Sequence, residues 1–205
     1  MSAHRRKKSA IGDRSRAKIF IVSAPSGCGK TTLCNRLLKD EPILADSVSM
    51  TTRRPRPGET RGKDYRFVSR KYFQNIIKQK GFLEYEENFG NFYGTPRKFI
   101  EDNLKKGRPV LLSIDVKGAM KVRRAYPKDS VLIFILPPSI NALRERLCLR
   151  RSDSDKDIEH RLGLAKKEIS YKKRYDYSIV NDDLESAYEA LHKIVNKEAG
   201  LRPVS

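Results

Sequence analysis

The chain has little of several things, and each shortage excludes a class of function. It carries three cysteines, Cys28, Cys34 and Cys148, in 205 residues. An odd number without metal-ligand spacing excludes a paired disulfide framework and a cysteine-built metal centre, and it fits a reducing, cytoplasmic setting. The three histidines, His4, His160 and His192, have no partner at metal or triad spacing, so no chemistry is assigned to them. Long apolar runs are missing too. The longest stretches, 19–22 and 131–136, fall far short of the roughly 20 residues a membrane-spanning helix needs. No transmembrane segment is expected. The basic residues Arg5 to Lys8 are not followed by an apolar stretch before Ile19, so no secretory signal is expected either.

Acidic residues are also scarce, with 25 Asp and Glu against 44 Lys and Arg, a formal net charge of +19. Such an excess suits nucleic acid or another polyanion. Residues 1–18 hold seven basic residues and one acid, lack a hydrophobic period, and read as a disordered, solvated arm. The remaining excess is spread along the chain, where composition alone does not separate a ligand site from a solvated surface.

From Ile19 the pattern changes. A short apolar run, IFIVS, ends in a Pro/Gly/Ser cluster and is followed by a helical stretch at 31–39. Buried-strand patterns recur at 110–114, 131–136 and 178–180. Helical patterns lie between and after them at 96–106, 139–149, 155–173 and 184–197, with Pro96 and Ser139 at capping positions. Strands alternating with helices indicate an α/β fold with a mainly parallel sheet in one globular unit. Residues 51–95, rich in Gly, Pro, Arg, Tyr and Phe, break the alternation and read as an inserted lobe of short strands at 65–68 and 82–85.

The segment Ala24-Pro25-Ser26-Gly27-Cys28-Gly29-Lys30-Thr31 joins the first strand to the first helix and matches GxxxxGK[ST] except for Ala24 at its first position. Glycines let backbone N–H groups turn in around phosphate oxygens, Lys30 reaches the β and γ phosphates, and the Thr31 hydroxyl is suited to Mg²⁺. The expected fold is therefore the three-layer P-loop NTPase type. Cys28 within this loop needs no role beyond its place.

Two further stretches narrow the reading. SVSMTTRRPRPGETRGKDYRF contains Ser49, Arg53, Arg56 and Tyr65, and FLEYEENFGNFYGTP contains Glu84, Tyr93 and Thr95. Two guanidinium forks and two phenols suit a monophosphate dianion. A carboxylate at Glu84 suits guanine, whose N1–H and N2–H donors it can accept together, whereas adenine would face it with an acceptor. With the phosphate loop, these motifs resemble the guanylate kinase family over about residues 18–195, and Ala at the first loop position also occurs in its bacterial-type members.

The resemblance implies a GMP-binding lobe at about 50–96 and a small helical lid at about 143–157, within a domain at 19–198 followed by a tail at 199–205. It assigns Arg53, Arg56, Tyr65 and Tyr93 to the GMP phosphate, and Ser49, Glu84 and Thr95 to the base. Asp115 falls near GMP or the Mg²⁺ water shell. The family usually has DIDxQG where this chain has Ser113-Ile114-Asp115-Val116-Lys117-Gly118, so one acid is replaced by Ser113 and Gln by Lys117. Arg146 and Arg150 fall in the lid motif, where Arg151 stands at a frequent Gly position, and Arg161 follows it. With Lys30 these arginines would surround the migrating phosphoryl group. Asn181 falls near the adenine of ATP by resemblance, or caps the helix starting near Leu184.

The implied activity is phosphoryl transfer from Mg²⁺·ATP to GMP, and to dGMP, in purine nucleotide metabolism, without a membrane and without nucleic acid. A non-catalytic module that holds a phosphorylated partner, a nucleic-acid binder, and a kinase for another monophosphate are the competing readings.

Overall fold

The computed structural model describes residues 17–88, 90–149 and 155–200. Most of the basic arm, Arg150 to Ser154 of the lid motif, and residues 201–205 of the tail lie outside them. Strand β1 (Ile19–Ser23) leads through the phosphate loop into α1 (Lys30–Asp40) and the short strand β2 (Ala45–Asp46). Next come β3 (Met50–Thr51), β4 (Arg66–Phe67), α2 (Arg70–Lys78), β5 (Phe82–Asn88) and β6 (Asn91–Pro96). The chain continues through α3 (Arg97–Lys105), β7 (Val110–Ser113), α4 (Val116–Ala125), β8 (Ser130–Leu136), α5 (Ile140–Cys148) and α6 (Asp155–Ser170). A 3-10 turn (Tyr171–Arg174), β9 (Tyr177–Val180) and α7 (Leu184–Ala199) complete it.

Five strands form a fully parallel sheet in the order β2-β7-β1-β8-β9. Every residue of β1 and β8 is buried, as strands covered on both faces require. Alternation divides β1 between two cores. Phe20 and Val22 pack with Leu33 and Leu37 of α1, Leu143 and Leu147 of α5, Leu162 of α6 and Leu191 of α7. Ile19 and Ile21 face the other way, with Ile100 of α3 and Ala119 and Val122 of α4. The result is a three-layer α/β/α body of the P-loop NTPase type.

From β1 the chain moves outward to β2 on the β7 side, and after β7 it crosses to β8 on the opposite side. The order therefore reverses at β1. Ligands of open α/β sheets collect outside the carboxyl ends of strands at such a reversal, where residues 24–29 and Asp115 lie.

The segment 50–96 forms its own four-stranded sheet, β4-β3-β6-β5, with β3 antiparallel to β6 and parallel to β4. The sequence reading of short strands alone is corrected here: β5 has seven residues, β6 has six, and α2 is a nine-residue helix. Ser69 caps α2 by accepting from the Tyr72 N–H at 3.2 Å. Its one buried side chain, Phe73, stacks on Phe82 and Phe92 with ring centroids 4.3 and 5.3 Å apart. Gly94 allows that packing, since a Cβ there would lie 2.9 Å from both Phe73 and Phe82.

Three further differences from the sequence reading have local causes. Helix α4 follows directly on Asp115, whose carboxylate caps it by accepting from the Gly118 N–H at 2.8 Å. The pattern expected through 173 tightens into the 3-10 turn after Ser170. Helix α7 is capped by Asp183, which accepts from the Ser186 N–H at 2.8 Å, so Asn181 is not its cap.

Candidate functional site

The phosphate loop owes its shape to two glycines and one buried amide. Gly27 and Gly29 hold φ of +95° and +80°, the left-handed region that side chains other than glycine disfavour. The Asn181 amide, buried behind the loop, donates to the Cys28 carbonyl at 2.8 Å, and a Cβ on Gly29 would lie 2.4 Å from that amide nitrogen. Asn181 therefore acts on the loop backbone from beneath. Ala24, Pro25 and Cys28 are buried, and burial pushes the Cys28 thiol up to about 12, which leaves it unreactive. Gly29→Ala is expected to cost about 1–2 kcal/mol in backbone strain and to displace Asn181. Binding calorimetry should then show affinity for a nucleoside triphosphate at least roughly tenfold weaker; unchanged affinity would contradict this account of the loop.

Lys30 opens α1 and donates from Nζ to the Ile114 carbonyl at 3.3 Å, at the end of β7. Burial pulls its pKa down, opposed by the neighbouring Cys34, Asp115 and Glu168. Thr31 is exposed on the first turn of α1 and outside the cavity lining.

A cavity of about 940 Å³ runs from this loop into the second sheet. It brings together Ser26, Lys30, Ser49, Arg53, Arg56, Tyr65, Glu84, Tyr93, Asp115 and Arg161, residues separated by up to 135 positions in the sequence. Ser49 just before β3, strands β5 and β6, and the 53–65 loop supply its far end. There Arg53 forms a bidentate pair with Glu59 at 2.8 and 2.9 Å, and its Cζ lies 5.4 Å from the Tyr65 ring centre. The Tyr65 and Tyr93 rings meet edge-on at 5.9 Å.

Glu84 is only 7% exposed. Its Oε1 accepts from the buried Thr95 hydroxyl at 2.6 Å, and Gly118 of α4 stands so close to Oε2 that a Cβ would lie 2.8 Å away. Burial raises its carboxyl to about 7 despite the Thr95 hydrogen bond, with Asp115 adding to the rise. Asp115 receives the Gly118 N–H on Oδ1 and the Asn88 amide on Oδ2 at 3.0 Å. Lys121 of α4 binds the Tyr85 carbonyl at 2.7 Å and Glu86 at 2.6 Å. These contacts fix the second sheet to the core through one helix.

The third wall is a face of α6 and the turn after it. Asp157, His160, Arg161, Leu164, Lys167, Glu168 and Tyr171 recur at spacings of three and four and all line the cavity. Arg161 donates to the Ser26 hydroxyl at 3.1 Å, so this helix already touches the loop. Arg146 lies outside the lining and donates to the Asp182 carbonyl at 3.3 Å. Arg150 lies outside the described residues.

Several residues here were missed in the sequence. Glu168 faces Lys30 and Asp115, and burial foremost raises its carboxyl to about 7. The 160, 161, 164, 167, 168, 171 period was the signal that could have found it. Asn88 and Glu59 have no spacing rule that singles them out. No three His, Cys, Asp or Glu side chains converge among the described residues. The carboxylates of Asp115 and Glu168 line the cavity, with the Thr31 hydroxyl outside that lining, a sparse set that fits a hard cation held mainly by nucleotide phosphates.

The chain is similar over most of its length to known proteins. The family model described as Guanylate kinase matches residues 16–198. The guanylate kinase of Wolbachia pipientis wMel is 50% identical over 185 residues, covering 90% of this chain and 92% of that protein. That of Caulobacter vibrioides is 48% identical over 183 residues, covering 89% and 86%. The crystal structure of guanylate kinase from Anaplasma phagocytophilum superposes with a TM-score of 0.77 at 41% identity, over 90% of this chain and 87% of that one.

Proposed function

Because the chain belongs to the guanylate kinase family, we propose that it transfers the γ-phosphoryl group of Mg²⁺-bound ATP to GMP, releasing ADP and GDP. The observation that carries the reading is one cavity lined by Lys30 of the phosphate loop at one end and by Glu84, Arg53, Arg56, Tyr65 and Tyr93 at the other, with Thr95 buried outside the lining and hydrogen-bonded to Glu84. A donor and an acceptor nucleotide bound there would meet beside Asp115.

The roles follow from chemistry. The backbone of residues 24–31 cradles the ATP phosphates, with Asn181 holding the loop in shape. Arg53, Arg56 and both tyrosines take the GMP phosphate, and Ser49, Glu84 and Thr95 take guanine. Lys30, Arg161 and the lid arginines Arg146 and Arg150 place positive charge around the three equatorial oxygens of the group in flight. Closure of the lid, near 143–157, over the lobe at 50–96 excludes water that would otherwise accept the phosphoryl group. No general base is needed, because the acceptor is already an anionic oxygen. Thr31 would hold Mg²⁺, which would supply positive charge to neutralise the phosphates when bound. None of the assigned contacts addresses the ribose 2′-hydroxyl, so dGMP is proposed as a second acceptor. The same reading puts the protein in the cytoplasm, in purine nucleotide metabolism and GMP recycling.

One coupled ADP-release assay comparing GMP, dGMP, AMP and UMP with ATP and Mg²⁺ tests this. GMP and dGMP should be used at least about 10²-fold better than AMP or UMP; preference for AMP, or no turnover with any acceptor, would refute the reading.

A further inference from the structure

Glu59 is absent from every role assigned above, yet its carboxylate accepts three hydrogen bonds from the two arginines at the far end of the cavity. Its two oxygens accept from Arg53 Nη1 and Nη2 at 2.9 and 2.8 Å, and Oε2 also accepts the backbone N–H of Arg56 at 2.7 Å. Both members of the pair are shielded, at 14% and 19% side-chain exposure. One carboxylate thus ties down the two arginines assigned to the GMP phosphate, one by its side chain and the other by its backbone. Hydrogen bonding from Arg53, then from the Arg56 N–H, holds Glu59 below the usual carboxylate range against the opposing effect of burial.

A carboxylate in a phosphate pocket has two opposite meanings. It could occupy the phosphate's place and compete with it, or it could hold the arginine in the posture that binds phosphate. A count of donors decides between them. Arg53 has five N–H groups. Nη1 uses both of its own, on the Arg54 carbonyl at 2.8 Å and on Glu59, and Nη2 uses one on Glu59. What remains is one N–H on Nη2 and the N–H on Nε. These two are adjacent on one edge of the planar fork, the arrangement that accepts two oxygens of a phosphate in parallel. Glu59 therefore binds the end of the guanidinium and leaves the side edge to Tyr93 and to an incoming phosphate. On the same guanidinium the Tyr93 hydroxyl acts as a hydrogen-bond partner, and the Tyr65 ring is 5.4 Å away.

We propose that Glu59 is a positioning residue for the acceptor phosphate: it holds the Arg53 fork and the Arg56 backbone in the phosphate-binding posture before the nucleotide arrives. The inference rests on the assignment of this end of the cavity to GMP. Without Glu59 a long, rotamer-rich side chain and a loop residue would have to be ordered on binding, a cost that shows as lost affinity for the phosphate and nothing else.

The test uses the full chain and calorimetric affinities for GMP and guanosine, beside steady-state kinetics. Wild-type protein comes first: failure to prefer GMP over AMP would count against the proposed function and not specifically against Glu59. Glu59→Gln should weaken GMP roughly ten- to thirtyfold, leave guanosine within about twofold, and leave kcat at saturating GMP within about threefold. Glu59→Asp, too short to reach both arginines together, should fall between. In an Arg53→Met background the same Gln substitution should add less than about threefold, because its effect runs through Arg53. Tighter GMP binding by Glu59→Gln would establish the competitor role and overturn the proposal. So would equal weakening of guanosine, which marks a merely structural residue, or full additivity with Arg53→Met.

Discussion

Lys30→Ala is expected to lower kcat by at least about 10²–10³-fold while GMP affinity stays within about twofold. The asymmetry follows from where the residue sits. Lys30 is at the loop end of the cavity, with its ammonium on the Ile114 carbonyl, whereas the residues proposed for the acceptor are Ser49 and those of β5, β6 and the 53–65 loop. Phosphoryl transfer asks the protein for alignment and charge more than for covalent help, so removing a charge that follows the γ-phosphate acts mainly on the transition state. The Ile114 contact is a weak anchor, at 3.3 Å to a neutral carbonyl, and an incoming triphosphate replaces it readily. Single-turnover kinetics with saturating ATP, set beside GMP calorimetry, measure the two effects separately. A variant with near-normal kcat would remove Lys30 from the chemistry, and a collapse of GMP affinity would show that the ends of the cavity are not independent.

Glu84→Gln carries the second large effect, and it reaches both activity and stability. Guanine offers two N–H donors that an ionised carboxylate accepts together; an amide accepts one and opposes the other with its own N–H. GMP should bind at least about 10²-fold more weakly to the variant. In the wild type the carboxyl is raised from 4.5 to about 7, chiefly by burial. On the proposed assignment the ionised form binds guanine, so GMP affinity should fall as pH drops below about 7. The stability effect has the opposite sense. A carboxyl with a raised folded-state pKa favours the folded protein fully below its unfolded pKa, and that contribution is lost as pH rises through about 7. At pH 8 the empty wild-type protein holds an ionised, poorly solvated Glu84, and glutamine relieves it by an amount on the order of 3 kcal/mol at most. Melting curves at pH 5 and pH 8 should show the variant gaining on the wild type only at the higher pH. Equal gains at both values, or a GMP affinity flat between pH 6 and 8, would contradict the assignment of a buried, titrating selector.

How much of this was legible in the sequence depended on whether a residue's role is set locally. The central strands could be read because burial on both faces leaves an uninterrupted apolar run, as at Ile19 to Val22 and Val131 to Leu136. The phosphate loop could be read because its chemistry requires particular residues in sequence. Helix α4 was hidden: Gly118 interrupts its interior and Val116 and Val122 are β-branched, so propensity argues against a helix that tertiary packing and the Asp115 cap secure. Helix α2 shows its period over one turn only, at Phe73, Ile76 and Ile77, inside a segment whose glycines and prolines read as strands and turns. Asn181 and Glu59 were out of reach for another reason. Asn181 acts on Cys28, 153 positions away, and Glu59 acts within a loop, where no periodicity exists to mark it.

The contact of α4 with the second sheet bears on how this body could be taken apart. Glu84 belongs to β5, but the surface that closes over its Oε2 is Gly118, and Lys121 grips the same strand at Tyr85 and Glu86. The base pocket is thus assembled across a seam, with its selector on one side and its back wall on the other. A graft of residues 50–96 alone would carry Glu84 and β5 without the Gly118 and Lys121 against which they pack in this chain. The unit that can be exchanged whole is that segment together with residues 113–121, two stretches distant in the chain that make one pocket.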